Sequence, residues 1–196
     1  MTGASGAAYG LGLIQALLVV GERVEVLVSS AALQVVAHEC RLSWPDDPQR
    51  LQQALSDHFD ADAERLRCYG LNDWHAPVAS GSGGRRRMVV CPCSMGTLAA
   101  LAHGLADNLI RRAADVILKE GGTLLLVPRE TPLTTIHLEN MLRLARAGAI
   151  ILPASPGFYH RPETVAAIVD FVVARVMSRL GLVSPAAPQW PPPVAI

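Results

Sequence analysis

The sequence has almost no lysine: of its 17 basic residues, Lys119 alone is lysine and the remaining 16 are arginine. It also has no net charge, because 17 acidic side chains balance the basic ones. That balance leaves no dense basic face for a phosphate backbone and no polybasic handle for an anionic membrane, so neither nucleic acid nor membrane is an expected partner. Long apolar runs are missing too. The longest, residues 11–20, is interrupted by Gln15 and falls short of the ~20 residues a membrane span needs. No basic residue precedes this run, the first being Arg23, so it reads as a buried helix rather than a secretory leader. The four cysteines could in principle make two bridges, but 51% hydrophobic content in 196 residues supplies a core without disulfide staples. Cys91-Pro92-Cys93 spaces its thiols by one residue, which fits neither a redox pair nor a zinc knuckle. Reduced thiols, a cytoplasmic location and no metal are the expectation.

What is present is an alternation of short β-rich runs with longer helical patterns, the order of a parallel sheet with crossover helices. Strands are predicted at residues 24–28, 88–90, 123–127 and 149–152. Helical patterns fill residues 31–39, 48–58, 98–118, 136–147 and 162–180, the last with Val165, Ile168, Val169, Val172, Val173 and Val176 on one face. Residues 1–182 are read as one domain, and residues 183–196, with five prolines around Trp190, as an extended tail. Residues 79–87, Ser-Gly rich and ending in three arginines, read as a solvent-facing loop.

Each predicted strand ends in a small or polar loop: Ser29-Ser30, then residues 92–97, 128–131 and 153–157. In an open parallel sheet those carboxyl edges face one crevice, where ligands bind. The sharpest signal is Thr2-Gly-Ala-Ser-Gly6, directly before an apolar helix, whose small residues let backbone amides approach an anion. A plain helix-capping turn is the competing reading. The turn is neither a GxGxxG fingerprint nor a P-loop, so neither a dinucleotide nor a nucleoside triphosphate is implied. A Rossmann-like chain also needs a central strand before such a turn, so the first strand is expected to be missing from this N-terminus. Lys119, conspicuous among arginines, suggests a need for a compact ammonium; a helix C-terminal charge before Gly121-Gly122 is the alternative.

Residues 2–6, Cys91-Pro-Cys-Ser-Met-Gly-Thr97, Ala106-Asp-Asn-Leu-Ile110, Arg112-Ala-Ala-Asp-Val116, Val127-Pro-Arg-Glu-Thr-Pro132, Ile136-His-Leu-Glu-Asn-Met-Leu142 and Gly157-Phe-Tyr-His-Arg-Pro162 together resemble the UbiX-type flavin prenyltransferases. The likeness runs from Thr2 to about Leu182. It implies an α/β flavodoxin-like Rossmann fold in three layers, FMN, and a homo-oligomer, usually a dodecamer. It also implies an activity: transfer of a dimethylallyl group from dimethylallyl monophosphate to reduced FMN, giving the prenylated FMN that serves UbiD-type decarboxylases. By the same resemblance Gly3, Ala4, Ser5, Ser29, Ser94, Met95, Gly96, Thr97 and Arg129 hold FMN. Arg112, Lys119, Arg129, Glu130, Tyr159 and Arg175 hold the allylic phosphate, some of them from adjacent subunits. Glu39 is the family-matched base, with Ser5 as a relay.

The residue types suit this chemistry independently of the name. Cations stabilise the charge that develops on a departing phosphate, so no metal is required. Trp74 and Tyr159 offer aromatic faces to an allyl cation. Lys119 and Glu130 complete the expected catalytic set of Ser5, Glu39 and Trp74, while His137 and His160 are read as structural. Three alternatives stand beside this reading: an FMN-dependent cysteine decarboxylase of the phosphopantothenoylcysteine type, a non-catalytic flavin carrier, and an inactive assembly subunit.

Overall fold

The structure, a computed structural model, describes residues 1–83 and 87–184. The arginines at 85 and 86 and nearly all of the expected tail, Trp190 included, lie outside the described residues. In chain order the elements are α1 (Ala7–Val19), β1 (Val24–Val26), α2 (Ser30–Cys40), α3 (Pro48–Phe59), β2 (Leu66–Cys68), β3 (Arg87–Cys93), α4 (Met95–Ala102), α5 (Leu109–Lys119), β4 (Thr123–Pro128), α6 (Thr135–Arg146), β5 (Ile150–Ile151) and α7 (Val165–Arg179). All strand pairs are parallel, as the alternation of strands and helices requires.

The strand β4 shows why the chain builds layers. Its Leu124 and Leu126 pack with Leu98 of α4, Ala114 and Ile117 of α5 and Leu144 of α6. Its Leu125 and Val127 point the other way, onto Leu13 of α1 and Val172, Val176 and Met177 of α7. Side chains alternate across a strand, so an uninterrupted apolar run demands helices on both faces. Leu126 is fully buried. Leu126→Ala is therefore expected to cost about 2–5 kcal/mol through lost burial and a residual cavity; urea unfolding should show the midpoint falling with the slope unchanged.

Several boundaries differ from expectation. The predicted helix over 98–118 is two helices, because α4 stops at His103 and Gly104 turns the chain at φ 69° before Asn108 caps α5 through the Arg111 N–H. The predicted strand over 88–90 runs on through Cys93, and Arg87 is not loop: it opens β3 and pairs with Glu22 at 3.0 Å. β2 carries no strand signal in the sequence, since Leu66 is its one fully buried residue and three residues show no alternation.

The sheet comes in two pieces, β1 with β2 and β3 with β4 and β5. Between them lie Met1 and Thr2. The Met1 amino group donates to the Leu27 carbonyl, Ser29 N–H donates to the Met1 carbonyl at 3.1 Å, and Thr2 N–H donates to the Pro92 carbonyl at 3.1 Å. These two residues thus occupy the central lane that the expected first strand would follow. They also place the Thr2–Gly6 turn at the point where the strand order reverses, where doubly wound sheets bind ligands.

Candidate functional site

Three helices begin at this carboxyl edge. Ser29 caps α2, its hydroxyl accepting from Ala32 N–H, and Ser94 caps α4, accepting from Thr97 N–H. Thr2, which sequence reasoning passed over, joins them: its hydroxyl donates to the Pro92 carbonyl at 2.9 Å and accepts from Ser94 N–H at 2.8 Å. Its place directly before the Gly-Ala-Ser-Gly turn was the available signal, and the structure buries it there.

The N-terminus of α1 is satisfied differently. Gly6 sits at φ 104° and offers no capping side chain. Instead the Glu39 carboxylate, reaching from the end of α2, accepts from Gly6 N–H and Ala7 N–H, both at 2.9 Å to Oε2. The sequence pointed to these amides as an anion site, and the anion they meet within the chain is Glu39. A Cβ at Gly6 would fall 2.8 Å from the Tyr9 ring, and one at Gly3 would meet the Ala31 Cβ at 2.6 Å. Both glycines are set by close approach.

Arg129, just past β4, donates from Nε to the Ser5 carbonyl at 3.3 Å. Partial burial pushes the Glu39 carboxyl up, but hydrogen bonds from Ser5, Ala7 and Gly6 and the Arg129 charge outweigh it, and the net shift is below the usual value. Ser5, Glu39 and Arg129 therefore form one polar cluster drawn from three separate segments. Glu130 beside it accepts from Thr131 N–H at 3.1 Å.

These residues suit a flavin nucleotide. Capped helix starts and serine and threonine hydroxyls supply donors for a phosphate and for polar ring edges, and a Cβ at Gly96 would meet nothing, so the start of α4 is open on that side. Among the described residues no group of His, Cys, Asp and Glu could hold a metal ion. Burial pushes the Cys91 and Cys93 thiols up to about 12, which keeps them protonated and inert.

The Flavoprotein family matches residues 1–177. A flavin prenyltransferase UbiX from Pseudomonas aeruginosa is 53% identical over 97% of this chain and 91% of its own length. This chain belongs to the UbiX flavin prenyltransferase family. Its structural neighbours agree: AnUbiX in complex with FMN and dimethylallyl pyrophosphate has a TM-score of 0.84 at 38% identity, covering 97% of this chain and 94% of that one. A dodecameric FMN-dependent UbiX-like decarboxylase from Escherichia coli O157:H7 has a TM-score of 0.83 at 42% identity, covering 97% and 99%.

As a UbiX-family chain it leaves part of the expected phosphate site elsewhere. Lys119 ends α5 immediately before β4, so it lies at the amino edge of the sheet, opposite the Ser5–Glu39–Arg129 cluster, where it pairs with Glu120. Arg175 lies in the last turns of α7, which likewise runs toward the amino edge. Arg112 is in the first turns of α5, held by the Ala79 carbonyl at 3.0 Å and Asp115 at 3.1 Å. Tyr159 stays at the carboxyl edge, edge-on to Phe171, with centroids 5.8 Å apart. Trp74 is half exposed in the loop after β2.

Both histidines have visible structural positions. His137 completes a capping box at the start of α6, its Nδ1 accepting from Thr134 N–H, and His160 stacks on Phe171 with centroids 5.3 Å apart and planes 7° from parallel.

Proposed function

We propose that this chain transfers a dimethylallyl group from dimethylallyl monophosphate to reduced FMN, and that the single observation carrying the reading is the Ser5–Glu39–Arg129 cluster at the switch point of a UbiX-family sheet. FMN lies along Gly3, Ala4, Ser5, Ser29, Ser94, Met95, Gly96, Thr97 and Arg129. When bound and reduced it supplies the nucleophilic ring nitrogen and the neighbouring ring carbon. Arg129 holds a phosphate oxygen while the allylic C–O bond breaks and the phosphate leaves with the electron pair. Glu39 accepts the proton lost from the ring carbon, with Ser5 as relay, and its depressed carboxyl keeps it ionised and able to do so at neutral pH. Trp74 and Tyr159 face the allylic cation.

Lys119 and Arg175 reach a phosphate only if another copy brings them, whereas Arg112 lies at the other end of α5, toward the carboxyl edge. Active sites shared between subunits are therefore part of the proposal, and the apolar outer face of α6 supports assembly: Leu138 is 52% exposed and Leu142, one turn on, 51%. Oligomerisation buries such a face and delivers amino-edge cations to a neighbour's carboxyl edge. The product serves a UbiD-type decarboxylase in the cytoplasm. Supporting that location, all four cysteines are free and no described helix is long and apolar enough to cross a membrane.

The test is anaerobic incubation with reduced FMN and dimethylallyl monophosphate, followed by mass spectrometry of the flavin. A gain of one prenyl unit is expected. FMN bound but unmodified would refute the transferase and leave the carrier or cysteine decarboxylase.

A further inference from the structure

The end of α5 and the segment that precedes β3 are built on each other. That segment makes two short 3-10 turns, Pro77–Ala79 and Gly81–Gly83, and its Val78 and Ala79 pack on the cluster that holds Ile110 and Ala113 of α5. Arg112 donates from Nε to the Ala79 carbonyl at 3.0 Å, so one α5 cation is already tied to the segment. Ser82 N–H donates to the Ser80 hydroxyl at 3.3 Å and the two serine hydroxyls lie 2.8 Å apart, which fixes the second turn.

Glu120 lies against this second turn. A Cβ at Gly81 would fall 2.6 Å from the Glu120 Cδ and 2.9 Å from its Cγ. Gly81 is outside the left-handed region, so its backbone permits alanine and only the Glu120 side chain excludes one. The backbone under Glu120 is equally fixed: Glu120 is the C-cap of α5, Gly121 follows at φ 65°, and Gly122 N–H donates to the Ile117 carbonyl at 2.8 Å. The carboxylate therefore has a set place, and there it pairs with the Lys119 ammonium, which holds the Glu120 carboxyl below its usual value. Both side chains stay about half exposed, so the ammonium is held without being buried. A free lysine samples many rotamers; one bound to a fixed carboxylate is placed in advance.

We propose that Glu120, seated on Gly81, is a positioning residue for prenyl transfer, holding the Lys119 ammonium where the allylic phosphate meets it. The inference rests on the reading above, in which Lys119 serves the departing phosphate. Glu120 acts through Lys119 alone, and Gly81 is glycine to leave the carboxylate room. A carboxylate beside the ammonium also offsets part of its attraction for a phosphate, so the gain is in placement and appears in the rate rather than in substrate affinity.

The test compares the full chain with Gly81→Ala, Glu120→Ala and the double variant. Lys119 is the sole lysine, so the rate at which an amine-acylating reagent labels its peptide, read by mass spectrometry, reports its pairing without turnover. Each single variant is expected to label Lys119 several-fold faster and to lower kcat roughly 10–10²-fold, while KM for dimethylallyl monophosphate does not rise and FMN affinity and the thermal midpoint hold. The double variant should match Glu120→Ala, and in a Lys119→Ala background Glu120→Ala should change nothing further, because the three residues act as one unit. Unchanged labelling in the single variants would overturn the proposal, as would additive losses in the double variant or a further loss in the Lys119→Ala background. A wild-type chain that transfers no prenyl group would refute the transferase reading instead, and the labelling comparison, which needs no turnover, would still decide whether Glu120 holds Lys119.

Discussion

Replacing Lys119 with alanine should lower the rate of prenyl transfer about 10²–10³-fold, the usual cost of removing one preorganised charge from a developing oxyanion, while FMN binding stays unchanged. The separation of effects follows from position. Lys119 is at the amino edge of its own sheet and the flavin cluster at the carboxyl edge, so its loss leaves the FMN residues of its own subunit untouched. Its partner in the chain is Glu120, and that exposed pair adds little to stability, so unfolding should be nearly unaffected. The decisive form of the experiment mixes Lys119→Ala subunits with Glu39→Gln subunits, each inactive alone. If the site takes Glu39 from one copy and Lys119 from another, randomly mixed assemblies recover roughly a quarter of the sites. No recovery on mixing would mean that both groups serve a site within one subunit, and the shared-site reading would fail.

Glu39→Gln and Glu39→Ala are expected to lose a comparable 10²–10⁴-fold in rate, roughly the range for a positioned general base. They should differ in stability. Gln keeps an acceptor for the Gly6 and Ala7 N–H groups; Ala leaves the first turn of α1 without its cap and should cost about 1 kcal/mol. The sign of the pH dependence follows from the depressed carboxyl. A group whose folded value lies below its unfolded one stabilises the fold above the unfolded value, here 4.5, and that contribution is lost as pH falls through the folded value. Wild-type chemical denaturation curves should therefore weaken along an acid limb below about 4.5, and Glu39→Gln should flatten that limb. Full activity in Glu39→Gln would remove Glu39 from the chemistry and leave it a cap.

Much of the architecture was legible because its cause is local. The run Leu124-Leu-Leu-Val127 reads as a two-faced buried strand from hydrophobicity alone, and it lies between α1 with α7 and α4 with α5 and α6. The helix expected over 48–58 forms as Pro48–Phe59, with the Asp47 side chain capping it by accepting from Arg50 N–H. Legibility failed where a short segment borrows stability from its neighbours. Leu66–Cys68 is a strand only because β1 supplies the partner, and the 103–108 break depends on a glycine turn that apolar periodicity runs straight across. The site divides in the same way. Ser29 and Ser94 were readable as polar positions after a strand; that each caps a helix, accepting from an amide three residues on, appears only in the fold.

Sequence by itself determined the parallel α/β class, the family and the glycine turn, because each is written in neighbouring residues or in a continuous motif. Tertiary structure alone decided two things. It brought Glu39, more than thirty positions downstream, onto the Gly6 and Ala7 amides and set Arg129 beside Ser5. It carried Lys119 to the opposite edge of the sheet, because a helix following one parallel strand must return the chain to the start of the next. Chain separation carries no information about such distances; the crossover path of a parallel sheet does, and it exists only once the strands have paired.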